Sequence, residues 1–88
     1  MARTFASPKH LALRTFLVEK RKKSGLRQVD LAKRLKRGQD YVSDVETGQK
    51  VLGAVELVEW AEAIGFDVAD AFRPLQNFEK TKRAGRRA

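Results

Sequence analysis

Lysine and arginine offer the most chemistry in this sequence. Nineteen of them stand against eleven acids, for a formal charge of +8, and the isoelectric point is near 10.3. Their chemistry is the binding of polyanions. Twelve of the bases lie in residues 1–37, opposed only by Glu19 and Asp30. Residues 38–50 carry a net −2, from Lys50 against Asp40, Asp44 and Glu46. Residues 51–79 carry a net −5, and residues 80–88 a net +5 with no acid. Covalent and metal chemistry have little to work with. There is no cysteine and His10 is the sole histidine, which excludes disulfides, thiolate sites and multi-histidine metal sites. Glu56, Glu59 and Glu62 recur every third residue with no nucleophile or base beside them, so they read as a wet helix face. No enzymatic activity, cofactor or metal is expected.

Helices must position these bases. With 88 residues and 10.0 kDa, the chain has room for one domain. That domain is expected over residues 7–79, with residues 80–88 as a disordered basic tail. No apolar run approaches the ~18 residues of a membrane span. The chain is therefore expected to be soluble and cytoplasmic, associated with the nucleoid if its polyanion is DNA. Ser7 before Pro8 reads as an N-cap and first helical residue, followed by Leu13, Phe16 and Leu17 on one face. That helix ends in the basic run Lys20 to Lys23, with Gly25 as its stop. Leu57, Trp60, Ala61 and Ile64 fall at i, i+3, i+4 and i+7, the strongest helical pattern in the chain, over Ala54 to Ile64. Asp67 can cap a fifth, short helix from about Val68 to Phe72, ahead of Pro74. No strand pair is evident, so the class is all-α with about five helices.

Between these elements lies the stretch Gln28 to Gly48. Leu31, Ala32 and Leu35 mark one short helix. Val42 and Val45 mark a second, from about Gln39 to Thr47, after a tight turn at Lys36-Arg37-Gly38. Two short helices joined by about three residues make a helix-turn-helix unit. Leu31, Ala32, Leu35, Val42 and Val45 must pack where the two helices cross, and Ala32 must be small there. The second helix is then held outward, where its exposed face can enter a major groove.

The same stretch resembles the Xre-type, lambda-repressor-like helix-turn-helix regulators. The likeness runs from about Leu13 to Phe72. It rests on Gln28 opening the second helix, Leu31-Ala32 within it, Val42-Ser43 in the third, and Val45-Glu46-Thr47-Gly48 closing it. It implies a compact five-helix lambda-repressor-like domain with a short basic C-terminal tail. Arg21 matches the family's arginine late in the first helix, which pairs with the glutamate carried here by Glu46. Breaking such a pair, if partly buried, costs ~3–5 kcal/mol.

The resemblance also implies the DNA contacts. Gln28 would aim its side chain and its helix N-terminus at a phosphate. Gln39, Asp40 and Asp44 match base-reading positions, Gln39 suiting adenine and the two acids a cytosine amino group. Tyr41 and Ser43 match positions that approach backbone or bases, and Lys50 would meet phosphate. Arg27, Lys33 and Arg37 flank the motif as further phosphate contacts, and Gly38 takes the place of the usual Ser or Thr cap. Arg27 replaces a small polar cap and cannot cap the second helix. Lys36 stands where the family places glycine with positive φ, at a cost of about 1–2 kcal/mol.

Two functions follow as expectations. The first is a sequence-specific DNA-binding transcriptional regulator, a repressor that binds an inverted-repeat operator in double-stranded DNA as a homodimer. Phe66, Val68, Phe72, Leu75 and Phe78 are the candidate dimer surface. The alternative is an antitoxin or antiactivator whose main partner is another protein, a toxin or an activator. The acidic third helix and the apolar end of the chain motivate it.

Overall fold

Local signals place the helix ends. A computed structural model of the chain describes residues 7–76. Helix α1 spans Pro8–Lys23, α2 Gln28–Leu35, α3 Gln39–Glu46 and α4 Ala54–Ile64, and residues 68–76 form α5. There is no strand among the described residues, and no helix among them is long and apolar enough to cross a membrane. Ser7 Oγ accepts the His10 N–H at 3.2 Å, and Pro8, which lacks an N–H, opens α1 at no cost. Asp67 Oδ1 accepts the Ala69 N–H at 2.9 Å and caps α5.

The C-terminal ends of α1, α2, α3 and α4 share one device. After α1, the Gly25 and Leu26 N–H groups return to the carbonyls of Lys22 and Arg21. The same reciprocal pair closes α2 through Lys36 and Arg37, and α3 through Gly48 and Gln49, while Gly65 and Phe66 both return to Ala61 after α4. Each stop needs a left-handed residue. Glycine supplies it at positions 25, 48 and 65, and Lys36 supplies it after α2 with φ 58°. Lys36 is the one non-glycine with positive φ among the described residues.

The core forms where the apolar faces meet. Leu17 of α1, Leu31 and Ala32 of α2, Val42 and Val45 of α3, and Leu57, Trp60 and Ile64 of α4 form one buried cluster with Ala71. Full burial of each leucine contributes ~1.5–3 kcal/mol. Trp60, Leu31 and Val42 have no exposed surface at all. Gly48 is required twice over. Its φ is +85°, and a Cβ there would lie 2.8 Å from the Arg14 Cζ. Glycine thus lets the arginine of α1 lie against the end of α3.

Two boundaries differ from the sequence reading. Helix α3 stops at Glu46, one residue early, with Thr47 as its cap and the chain turning left-handed at Gly48, φ 85°. Helix α5 runs past Phe72 and through Pro74 to residue 76. Proline removes one backbone hydrogen bond there. The face formed by Val68 and Ala71 lies inward, with Ala71 fully buried, and this packing outweighs the break.

The candidate dimer surface is smaller than the sequence suggests. Phe66 stacks edge-on against Phe16 with centroids 5.2 Å apart, and Phe66 and Val68 both pack against the core. Phe72 is 44% exposed and Leu75 half-buried. Phe78 and the tail over residues 80–88 lie outside the described residues.

Candidate nucleic-acid interface

The start of α2 and the outer face of α3 are joined by a relay of side chains. Arg21 reaches from α1 to Glu46 at the end of α3, with Nε donating to Oε2 at 2.6 Å and Nη2 to Oε1 at 3.1 Å. Its Nη1 donates to the Leu26 carbonyl at 2.8 Å. Both side chains are less than 10% exposed. Glu46 Oε1 also accepts from Gln28 Nε2 at 2.8 Å, and Gln28 Oε1 accepts from Gln39 Nε2 at 3.3 Å. Four residues from three helices thus fix the carboxamide at the first position of α3. Gln39 keeps its oxygen and a second N–H for another partner.

Gln39 and Ser43 form one row along α3, and Asp40 and Asp44 the next, each at i, i+4 spacing. Gln39, Asp40 and Asp44 are exposed and Ser43 is half-buried, while Val42 and Val45 face inward. Gly38 caps α3 with extended backbone and offers no side-chain bond. The open face therefore carries one carboxamide, one hydroxyl and two carboxylates.

Bases surround this face, and each has a definite setting. Arg27 holds Asp30 with Nε and Nη2, both at 3.0 Å, and its own N–H donates to Asp30 Oδ2 at 2.8 Å. These bonds from Arg27 lower the Asp30 pKa to about 2. Arg27 thus leaves the cap of α2 to the acid three residues on, and its guanidinium stays largely in water. Lys33 is exposed on α2. Arg37, in the turn, lies over the Tyr41 ring at 4.4 Å and 3.7 Å from Glu56 Oε2. Lys50, beyond α3, is exposed and brings Nζ to 5.9 Å from the same ring.

Tyr41, which the sequence places near DNA, is half-buried. Its hydroxyl points at α4, donating to Glu56 Oε2 at 3.0 Å and accepting from Trp60 Nε1 at 3.1 Å. Burial raises the pKa of the phenol, which keeps its proton. The Gly53 N–H bond and the phenol lower that of Glu56, against the cost of burial. Glu56, on the face that the sequence marks as wet, is half-buried. Its position three residues after Gly53 was the available signal, since that spacing is half of a capping box, and Gly53 N–H donates to Glu56 Oε1 at 3.0 Å. The contribution of Arg14 at Gly48 carried no local signal.

Comparison with known proteins agrees with this geometry. The helix-turn-helix domain family matches residues 12–72. Among solved structures, an XRE-family like protein from Pseudomonas syringae pv. tomato str. DC3000 superposes with a TM-score of 0.74 at 31% identity, covering 80% of this chain and 85% of that one. A structure of the clp gene regulator ClgR from C. glutamicum gives 0.72 at 25% identity, over 82% of this chain and 94% of that one. A second ClgR structure, from Corynebacterium glutamicum, gives 0.73 at 24% identity, over 91% and 85%. No curated protein matches the chain by sequence.

Proposed function

The chain belongs to the Xre-type helix-turn-helix family and is a DNA-binding transcriptional regulator; we propose that it is a repressor that reads an inverted-repeat operator as a homodimer. The observation that carries sequence reading is the relay ending at Gln39. A carboxamide held by Gln28 can give its second N–H to adenine N7 and accept from the adenine amino group. Gln28 then meets the adjacent phosphate, and Asp40 or Asp44 accepts from a cytosine amino group. Arg27, Lys33, Arg37 and Lys50 supply the phosphate contacts that set register. One such domain reads few base pairs, so two half-sites about one helical turn apart, ~34 Å, give the specificity. Phe72 and Leu75 are the residues proposed for the symmetric contact. Occupying a promoter in the cytoplasm, at the nucleoid, would then block transcription without any chemistry.

The test is selection of random duplex DNA by the purified protein at about 150 mM salt, where non-specific phosphate binding is weak. The expected product is an inverted repeat, from which Gln39→Ala loses ~1–3 kcal/mol at one base pair of each half-site. Absence of any enriched sequence would overturn base reading. It would favour the alternative that the two exposed carboxylates of α3 suggest, a protein such as a toxin or an activator as main partner.

A further inference from the structure

Two cations from opposite sides of α3 converge on one ring. Arg37 precedes the helix and Lys50 follows it, yet the Arg37 Cζ lies 4.4 Å and the Lys50 Nζ 5.9 Å from the Tyr41 centroid. They are no farther apart than those two distances combined. The ring itself is anchored from behind, because its hydroxyl is bonded both to Glu56 and to the indole N–H of Trp60, which is fully buried. Glu56 stands 3.7 Å from Arg37 Nη2, but its oxygens already accept from the Gly53 N–H and the Tyr41 hydroxyl. Arg37 is held on one side and keeps 46% of its side chain in solvent.

We propose that Arg37, Lys50 and Tyr41 form a single clamp in which the two cations grip one backbone phosphate of duplex DNA, with Tyr41 positioning them and not touching DNA itself. The proposal rests on the DNA-binding reading above. Attraction to a ring face uses no N–H donor, so both cations keep their donors for phosphate. A phosphodiester presents two unbridged oxygens, one for each cation. Arginine and lysine otherwise lose rotamer freedom on binding, and the ring restricts it beforehand.

The experiment measures binding of the whole chain to a random-sequence duplex as salt is varied. Each neutralised phosphate contributes a slope of about −0.9 in log Kobs against log salt. If the cations share one phosphate, the Arg37→Ala/Lys50→Ala double variant flattens the slope by about 0.9, and each single variant by less. Two independent contacts give about 0.9 each and about 1.8 together, which overturns the shared clamp, as does a double variant with the wild-type slope. Tyr41→Leu is expected to weaken binding about two- to fivefold, and Tyr41→Phe, which keeps the ring, to leave it unchanged. In the background lacking both cations, Tyr41→Leu has no further effect. A further loss there means that Tyr41 contacts DNA directly, and equal losses for Leu and Phe mean that the hydroxyl matters and not the ring face. Tyr41→Leu and Tyr41→Phe both leave Trp60 Nε1 without its acceptor, so the helicity of each is checked by circular dichroism, a risk that the exposed Arg37 and Lys50 variants do not share. If the wild type shows no salt-dependent duplex binding, the DNA reading falls and the clamp with it. Binding with the wrong slopes removes the clamp alone.

Discussion

Replacing Arg21 by methionine tests the side-chain relay at its root. Methionine keeps most of the apolar stem and removes three hydrogen bonds, two to Glu46 and one to the Leu26 carbonyl. The Glu46 side chain, 6% exposed, then retains Gln28 as its partner. Stranding a charge in this way costs ~3–5 kcal/mol. A chain of this length has a total stability of roughly 4–13 kcal/mol, so the loss is about a quarter of it or more. At ~4–8 °C per kcal/mol for a small domain, the melting temperature should fall by more than ~12 °C. The informative step is the second substitution. Arg21→Met/Glu46→Met removes the stranded charge as well, and apolar replacement of a buried pair is often neutral. It should recover at least ~2 kcal/mol relative to Arg21→Met. Urea titration followed by the emission of Trp60, the only tryptophan and fully buried, reads all three proteins. A cost below ~1 kcal/mol for Arg21→Met, or a double variant as unstable as the single one, would refute the argument from charge burial. The rescued variant should fold without the relay, and so lose discrimination at the base pair that the proposed function assigns to Gln39.

Lys36→Gly relieves a left-handed lysine. Relief of ~1–2 kcal/mol, set against ~0.4–1 kcal/mol of extra freedom in the unfolded chain, predicts a net gain centred near ~0.8 kcal/mol, seen as a rise of a few degrees in a thermal melt. Gly48→Ala should cost more than Gly25→Ala. Both have positive φ, but a Cβ meets nothing within 4 Å at position 25 and comes within 2.8 Å of the Arg14 Cζ at position 48; equal urea midpoints would show that Arg14 swings away freely. Acid should destabilise the fold through Asp30. Its pKa is depressed in the folded state, so its contribution is complete above the ordinary value of 3.8 and is lost as pH falls through about 2. Asp30→Asn should flatten stability against pH across that window, as measured by urea midpoints at successive pH values.

Where a signal was local, the sequence reading agrees with the structure. The bounds of α4 follow from one apolar stripe between two glycines, and those of α2 from its leucines. The run of α5 through Pro74 was not legible, because proline is a local breaker and the packing of Val68 and Ala71 that overrides it is tertiary. The motif from Gln28 to Gly48 was readable by spacing, and with it the outward face of α3. The direction of Tyr41 was not. Its partners Glu56 and Trp60 lie 15 and 19 residues away on another helix, and periodicity alone cannot say to which side a half-buried ring will turn. Phe66 shows the same limit from the other direction. An apolar residue near the end of a small domain suggests an interface, and Phe16, fifty residues earlier in the chain, packs edge-on against part of it.

Helix α3 has eight residues, an acid in its first turn and no base in its last. A helix so short is marginal by itself. The cations at its C-terminal end come from α1, with Arg21 on Glu46 and Arg14 against Gly48. Helix α3 is therefore not a transplantable part. An excised α3 peptide, or one grafted onto another scaffold, leaves behind the charges that offset its dipole and acids. A change of specificity is better sought by altering positions 39, 40, 43 and 44 in place, on a helix whose supports belong to its neighbour.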